Sequence, residues 1–598
     1  MNNDSTLWDR RAFLGTSAGL VVTGFAGCLN NQQNQGTSSG GSGDGETQLD
    51  FVGGRAPTEI QFNRWNQSNF GHTYSTLFWT GLATAYSDGT IKSDFLEDIS
   101  VDGNQLTVTF PQDWTYWNGK DLTAKDYYIG VEIDRLQDPE ASNYENHELV
   151  DEYTVTHTFK EAVTPTLMRA SLIDMGVNTP RWIFEEYLTR YQDASGEDER
   201  ESITEELLKK TISMETFVEE GLGNGLYEVE SFSASETIVS KFEDHPYADR
   251  TDVDKCRIVP VGDTTDQLAT SDKLDMTLFG YIKDSAQYPG NIENLMELQW
   301  FRTQKFILNW TNEHLGKRPV RRALVSALDL EAITQSAVDA AYTAEPTQVQ
   351  TGLRSSIHDK YLGEEFVDSL ISYPVAGDSK TATEYMEQAD YAKENGTWTS
   401  PDGTTMSLTI LTRDNAGQAE PSKVLRDQLQ QFGIETEVNA VGDNYYTKLQ
   451  EYEFDLGWVW HVAKALWHPT AYFSNDFYGV LAGDPDSGNE TGPTGVPFET
   501  TIPNTVGDKQ VSGGGTTIKP AELMNQLPVS TSKEQVTERT KTLVQWFNYD
   551  LPAIVYMQEN SGYWGDVANF SFPDGSGEKK MDANNPGQHA WMRGWITQ

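Results

Sequence analysis

The sequence predicts a mixed α/β protein of two or three domains. The chain has 598 residues, which is enough for more than one hydrophobic core. Strand-like and helix-like segments alternate along it, without the strict strand–helix–strand repeat of a purely parallel sheet. No internal repeat is visible. These observations together favour mixed sheets packed against helices.

The first 28 residues predict export. Arg10 and Arg11 precede a short, mildly apolar run, a pattern typical of a twin-arginine signal. Only sixteen residues lie between Arg11 and Cys28, fewer than the roughly 20 that a membrane span needs. Phe25-Ala26-Gly27-Cys28 resembles a bacterial-type lipobox, whose cysteine is lipidated after cleavage. We therefore predict a signal peptide over residues 1–28 and a lipid on Cys28.

Residues 29–48 predict a flexible tether. The stretch from residue 30 is rich in Gly, Ser, Asn and Gln and lacks core-forming side chains, so it cannot offset its ordering entropy. Each buried acyl methylene contributes about 0.8 kcal/mol, so two or more chains on Cys28 would hold the protein at a membrane. No later apolar run approaches spanning length. We expect a protein anchored at the outer face of the cytoplasmic membrane.

The charge of the chain is strongly negative throughout. The formal net charge is −46, from 90 acidic and 44 basic residues spread along the whole sequence. A local acidic tail or cation-binding patch would be concentrated instead. The distribution therefore favours a surface adapted to concentrated salt, where carboxylate repulsion is screened, and indicates a halophilic archaeal source. Nucleic acid is excluded as a partner, because the field repels phosphates.

Cysteine usage and motif searches favour a protein without catalytic chemistry. With Cys28 lipidated, Cys256 has no disulfide partner and no four-cysteine zinc site is possible. The Gly-x-Ser-x-Gly pattern at residues 15–19 lies inside the signal peptide. No phosphate-binding Gly-x4-Gly-Lys-Ser/Thr loop occurs, so any ATPase is a separate chain. We predict no enzyme activity, cofactor or metal; a nickel site at His461 and His468 stays open as a minor alternative.

The elements follow from hydrophobic periodicity. LDFVGG from Leu49 and QLTVTF from Gln105 read as strands, and DKCRIVPV around Cys256 as a core strand. Helical patterns begin near residues 124, 320, 420 and 531. Residues 195–206 form a charged surface segment, and residues 483–520 read as a long surface insertion.

Six separated segments carry a resemblance to a known family. In residues 96–126 a strand leads through Trp117-Asn118-Gly119 to a helix, with Thr123 as N-cap and Asp126 at the third helical position. Gly223-Asn224-Gly225-Leu226-Tyr227 is similar to Gly-Thr-Gly-Pro-Tyr, with leucine replacing proline. The remaining segments are 257–276, 306–333, 389–460 and 551–564. Together they resemble the family 5 extracellular solute-binding proteins, the oligopeptide, dipeptide and nickel receptors of ABC importers.

The resemblance implies an α/β, two-lobed, periplasmic-binding-protein-like fold (type II, cluster C) with a small extra third domain. It places the first lobe at residues 49–300, including a small inserted domain at about 100–210. The second lobe then spans residues 301–529, and residues 530–598 return to the first lobe. We expect a monomer whose closed form is recognised by permease subunits with a separate ATPase.

The expected ligand site is the cleft between the lobes, built from aromatic and a few polar side chains. Trp458 and Trp460 point to one face, because side chains alternate along a strand. The candidate ligand-binding residues are Trp65, Trp458, Trp460, Trp467, Arg413 and Lys464. Arg302 and Arg354 join Arg413 as candidate carboxylate clamps because of their fork geometry.

Two ligand classes stay open at this stage. Peptide-binding relatives often hold the ligand's amino terminus with an aspartate in the loop that reads HVAKALWHP here, where Lys464 stands without an acidic neighbour. That favours the alternative of an oligosaccharide receptor, with sugars on tryptophan rings, although a peptide-like solute is our first expectation. Lys464 also fits a ligand carboxylate or a neighbouring acidic residue. A sensory or structural surface lipoprotein without transport is the alternative from another class.

Overall fold

The structure is a computed structural model that describes residues 47–598. It does not describe positions 67, 87, 141, 162, 174, 262–264, 278–287, 299–301, 341–342, 443, 462–466, 474–489, 531, 576–578 and 583–585. The predicted signal peptide, Cys28, nearly all of the tether and Lys464 therefore lie outside the described residues. No helix in the described ranges has the length and apolar character needed to cross a membrane.

The first half of the chain supplies most of one lobe. Its strands are β1 (Gln48–Val52), β2 (Thr84–Ala85), β3 (Ile91–Lys92), β4 (Asp98–Asp102), β5 (Gln105–Thr109), β6 (Tyr144–Asp151), β7 (Thr154–Phe159), β8 (Tyr227–Phe232), β9 (Thr237–Lys241), β10 (Lys255–Val259), β11 (Met276–Thr277) and β12 (Ile292–Leu298). Its helices are α1 (His72–Phe78), α2 (Ala124–Gln137), α3 (Pro165–Ala170), α4 (Arg181–Asp193), α5 (Glu197–Lys209), α6 (Met214–Glu219) and α7 (Thr265–Thr270).

The second half forms the other lobe and then returns to the first. Its strands are β13 (Thr303–Leu308), β14 (Thr343–Pro346), β15 (Ala392–Glu394), β16 (Thr397–Thr399), β17 (Ser407–Arg413), β18 (Glu435–Val441), β19 (Leu456–His461), β20 (Thr500–Pro503), β21 (Gly515–Ile518) and β22 (Ala553–Asp566). Its helices are α8 (Arg318–Ala327), α9 (Leu330–Ala340), α10 (His358–Tyr361), α11 (Glu364–Asp368), α12 (Ser379–Gln388), α13 (Ala416–Phe432), α14 (Tyr445–Gln450), α15 (Pro520–Gln526), α16 (Lys533–Asp550) and α17 (Pro586–Met592).

Two large hydrophobic clusters define the two lobes. One contains buried side chains from residues 49 to 276 and again from 563 to 596, and the other contains buried side chains from 306 to 557. The fold is therefore two-lobed, with a first lobe built from both ends of the chain. The packing places the return later than our predicted boundary at residue 530, because Leu543 and Phe547 of α16 belong to the second cluster. The chain crosses instead along β22, whose Met557 lies in the second cluster and Tyr563 in the first.

The small unit of the first lobe occupies the stretch near residues 100–210. An antiparallel sheet in the order β4–β5–β7–β6 packs against α2, which also contacts α4 and α5. The backbone N–H of Thr123 donates to Asp126 at 3.0 Å, the predicted helix start of α2. Buried residues of this unit, such as Leu106 and Phe184, belong to the same cluster as the main sheet. The unit therefore shares the core of the first lobe. The charged segment predicted at 195–206 is largely the helix α5.

Strand β22 is the element that both lobes share. It pairs antiparallel with β13 and β14 through its first half, and with β11 and β12 through its second half. The first-lobe sheet continues from β11 through β1, β10, β9 and β8, and the second-lobe sheet from β13 through β19, β17 and β18. A strand that passes between two separate cores is a natural hinge.

Candidate functional site

The facing edges of the two lobes meet at the middle of β22. Thr303, at the start of β13, pairs with Gln558, while Met276, next to the end of β11, pairs with Gly565. The parallel strands β17 and β19 also end at the same edge as the start of β13, because β13 is antiparallel to β19. Ligands of open α/β sheets bind at the carboxyl ends of strands. The candidate site is therefore the cleft beside residues 559–564.

A buried network of side chains lies on the second-lobe side of this candidate cleft. We call Arg302, Gln304, Trp460 and Glu559 the floor cluster. A guanidinium nitrogen of Arg302 lies 3.3 Å from a carboxylate oxygen of Glu559, and its guanidinium carbon lies 4.2 Å from the ring centre of Trp460. The side-chain amide of Gln304 donates to the other Glu559 oxygen. The cluster thus joins β13, β19 and β22 at the point where the lobes meet.

The floor cluster is held from below by aromatic side chains. The indole N–H of Trp458 lies 3.1 Å from both the Gln304 side-chain oxygen and the Tyr556 hydroxyl. The Tyr556 hydroxyl also donates to the Gln304 oxygen. Gln304 is fully buried, and its amide is therefore fixed in one orientation by partners on two neighbouring strands, β19 and β22. This arrangement fixes where the Glu559 carboxylate lies.

Arg354 supports the same strand through contacts with Glu559 and Asn560. One of its terminal nitrogens donates to the backbone carbonyl of Glu559 at 2.7 Å, and the other donates to the Asn560 side chain at 2.6 Å. The side chain of Arg354 is fully buried, and burial lowers its pKa. A guanidinium bound to main-chain carbonyls in this way positions β22. In this conformation it does not face the cleft as a clamp.

The charge state of the floor cluster follows from its burial. Burial raises the pKa of the Glu559 carboxyl, while Arg302, Gln304 and Arg354 act in the opposite direction. A buried carboxylate needs its cation and its hydrogen bonds, because removing one partner leaves an uncompensated charge. The cluster can therefore present a fixed, oriented set of polar groups with an aromatic ring beside them.

Comparison with known proteins decides the family. Residues 80–482, about two thirds of the chain, match the profile of the bacterial extracellular solute-binding proteins, family 5 middle region. The chain belongs to this family. A search of curated protein sequences found no match.

Solved structures share the fold of this solute-binding protein at low sequence identity. The oligopeptide-binding protein AppA of Bacillus subtilis, in complex with a nonapeptide, aligns at 14% identity over 92% of this chain and 99% of its own, with a TM-score of 0.63. An oligopeptide-binding protein of Thermotoga maritima with bound mannohexaose aligns at 18% identity over 92% and 97%, with a TM-score of 0.62. NikZ of Campylobacter jejuni with Ni(L-His) aligns at 12% identity over 92% and 99%, with a TM-score of 0.59.

The sequence-predicted residues of the solute-binding protein fall at different depths. Trp460 lies in the floor cluster and is partly buried. Trp458 lies on the same face one step deeper, with only 1% of its surface exposed, so in this conformation it supports the wall. Arg413 ends β17 at the cleft edge, with its guanidinium carbon 5.8 Å from the Tyr446 ring centre.

Two of the predicted tryptophans lie away from the floor cluster. The indole N–H of Trp65 donates to Asp134 at 2.7 Å, and its ring packs against Phe184 in the first lobe. Trp467 is buried against Leu167 and Ala170 of the first lobe, although it belongs to the second-lobe half of the chain. Their assignment as ligand contacts stays a prediction.

Glu559 and Gln304 are the site residues that sequence reasoning missed. Both lie in segments that the family resemblance covers or borders, yet neither stands in a recognisable motif. The available signal was the polar run Gln558-Glu559-Asn560 inside an otherwise apolar strand pattern. A charged residue in the middle of a buried strand needs a partner, and that requirement points to a functional or structural network.

Proposed function

We propose that this protein is the extracellular, lipid-anchored substrate-binding subunit of an ABC importer. It captures a peptide-like solute between its lobes and delivers it to a permease with a separate ATPase. The observation that carries this proposal is β22, a single strand that joins two separate cores beside the buried floor cluster. Lobes joined in this way close on a guest by rotating about the shared strands.

The chemistry of the cleft fits a solute of mixed polarity. Trp460 offers an aromatic surface, and Arg302 lies over its ring and pairs with the Glu559 carboxylate. Arg413 lies at the same edge of the sheet, where a guanidinium suits a ligand carboxylate. Because the floor cluster is preorganised, little ordering entropy has to be lost when a ligand binds.

An oligosaccharide receptor is the second candidate. It is favoured by the partly buried Trp460 ring, on which a sugar ring can pack, and by the lysine at position 464 where an ammonium-binding aspartate was expected. The Thermotoga maritima protein of the same fold was solved with mannohexaose. A sensory lipoprotein is a third possibility, which permease and ATPase genes beside this one would contradict.

A thermal-shift comparison tests the ligand class. A tripeptide library and an oligosaccharide panel are each added to the protein in molar salt, and protection grows as RT ln(1 + [L]/Kd) for the true class. We expect the larger shifts with peptides. Shifts with sugars and none with peptides would reverse the ranking, and no shift with either would contradict both.

A matched pair of variants tests the site. Trp460→Ala removes the cleft-side ring, and Trp310→Ala removes a partly buried ring with an arginine over it at the opposite end of β13. The ligand used is the tripeptide or oligosaccharide that gives the largest thermal shift, which we call the active probe. We expect Trp460→Ala to weaken its binding at least tenfold, which is the scale of an aromatic hot spot. Trp310→Ala should keep the wild-type affinity after correction for its own melting temperature. Equal losses of affinity in both variants would show that the ligand does not bind beside Trp460.

The anchor has its own test. Cys28→Ser should release the protein from the membrane fraction into the medium, while intact-mass measurement of the wild type should show acyl chains on a new amino terminus at Cys28. Retention of the variant at the membrane would contradict lipid anchoring.

A further inference from the structure

One small hydrophobic cluster joins the two lobes. Of the four clusters within the described part of the chain, it is the one that combines side chains from both lobes. Trp467 of the second lobe is 4% exposed there, and Leu167 and Ala170 of α3 in the first lobe are 0% and 2% exposed. A tryptophan buried across an interlobe boundary must be uncovered if the lobes separate.

The first lobe provides a shaped socket for this ring. Ile91, Val163 and Ile173 pack around the cluster as partly buried side chains. Gly89, in the turn between β2 and β3, has φ +87°, and a Cβ placed there would lie 3.1 Å from Cδ2 of the Trp467 ring. The glycine therefore satisfies both the left-handed turn and the close approach of the indole face.

The second lobe holds the ring firmly from behind. The Tyr361 hydroxyl donates to the Trp467 carbonyl at 2.9 Å. The His468 ring lies edge-on to the indole at 5.7 Å, and the Lys360 ammonium lies 5.3 Å from its centre. Within the described residues the indole N–H has no acceptor, so the contact across the boundary rests on apolar burial and shape.

We propose that Trp467 is a latch that holds the lobes together and sets the population of the closed form. The floor cluster and β22 form the hinge side of the cleft, and the latch is a second attachment made by different residues. This inference rests on the proposed two-lobed closure. Its main test measures exchange and scattering without solute, so it can fail independently of the ligand assignment.

Hydrogen exchange followed by mass spectrometry on the full chain tests the latch. Trp467→Ala should raise exchange about tenfold at the socket amides, residues 84–92 and 165–170, because uncovering them no longer has to break the contact. Leu167→Ala removes the socket side and should produce the same change. The double variant should exchange little faster than either single variant, because both substitutions remove the same contact. Small-angle scattering should show a larger radius of gyration for all three.

Controls separate the latch from local damage. Trp310→Ala, in the second lobe but distant from the socket, should leave the socket amides unchanged. Amides of β17 should stay protected in Trp467→Ala, and those of β5 should stay protected in Leu167→Ala, because these strands lie in the two main cores. Unchanged socket exchange and scattering in Trp467→Ala would overturn the proposal. Loss of tripeptide or oligosaccharide binding without any change in exchange or shape would also overturn it and make Trp467 a ligand contact.

Discussion

The two ends of β13 carry the same three groups in different settings. At the cleft end, Arg302 lies over Trp460 and pairs with Glu559. At the far end, Arg321 lies 3.4 Å from the ring centre of Trp310 and 3.8 Å from a carboxylate oxygen of Asp550. The chemical groups match, so the difference between the two ends lies in what else each guanidinium binds.

Main-chain carbonyls surround the far guanidinium. Arg321 donates to the carbonyls of Asp550 at 2.7 Å, Leu315 at 2.8 Å and Gly316 at 3.1 Å. Burial lowers its pKa to about 9, and Asp550 acts against this shift. The cleft-end guanidinium of Arg302 is joined instead to the side-chain carboxylate of Glu559, which also accepts a hydrogen bond from Gln304. Backbone partners fix a fold, whereas a side-chain network beside a hinge is available for recognition.

The largest expected effect comes from removing the Arg321 contacts at the far end of β13. Arg321→Ala leaves Asp550 without one of its two arginine partners and three carbonyls without their donor, so we expect a loss of about 3–5 kcal/mol in the free energy of unfolding. Denaturant unfolding in molar salt measures it. Lys317→Ala, a partly exposed change at the start of the same helix, is the control and should cost less than about 1 kcal/mol. A loss below 1 kcal/mol in Arg321→Ala would contradict a structural function for this end.

The next largest effect, from replacing Glu559, distinguishes the function of the cleft end from that of the far end. Glu559→Gln keeps the shape but leaves Arg302 buried without its carboxylate, so we expect a smaller loss of about 2–3 kcal/mol. Solute affinity should also fall at least tenfold, because the floor cluster loses its fixed geometry. Isothermal titration with the active probe measures this. Full affinity with reduced stability would make the floor cluster purely structural, like its counterpart at the far end.

A half-buried carboxylate extends the comparison to the first lobe. Burial raises the pKa of Asp275, the residue just before β11, to about 7, while the backbone N–H of Asp50 donates to its carboxylate at 2.6 Å. The native state therefore holds a proton that the unfolded state releases above its ordinary pKa of 3.8. The contribution of this group to the free energy of unfolding should be present below pH 4. It should be lost as the pH rises towards 7, by up to about 1.4 kcal/mol per pH unit. Asp275→Asn should remove that slope in melting curves between pH 4.5 and 6.5; a slope that persists in the variant belongs to other groups.

The sequence predicted local elements better than long-range pairs. The N-cap at Thr123 and the helix α16 follow from short patterns, since capping and periodicity act within a few residues. The Gln304–Glu559 pair joins residues 255 positions apart, and no local pattern encodes such a contact. The return of the chain along β22 was placed about thirty residues too early for the same reason, because the amphipathic pattern of α16 does not tell which core it faces.

The sequence also does not predict how deeply each tryptophan is buried. The tryptophans at the two ends of β13 provide the smallest expected effect that distinguishes these ends. Alternation correctly placed Trp458 and Trp460 on one face of β19, but it does not reveal that Gln304 and Tyr556 cover the first ring. Replacing each arginine-stacked ring by phenylalanine keeps apolar area and weakens the cation–π contact, which is worth about 0.5–2 kcal/mol. We expect Trp310→Phe to lower the melting temperature without changing solute affinity, and Trp460→Phe to change affinity with a smaller effect on melting. Paired melting and titration measurements check this. If both variants changed only stability, recognition would have to come from another wall of the cleft, with Arg413 as the next residue to replace.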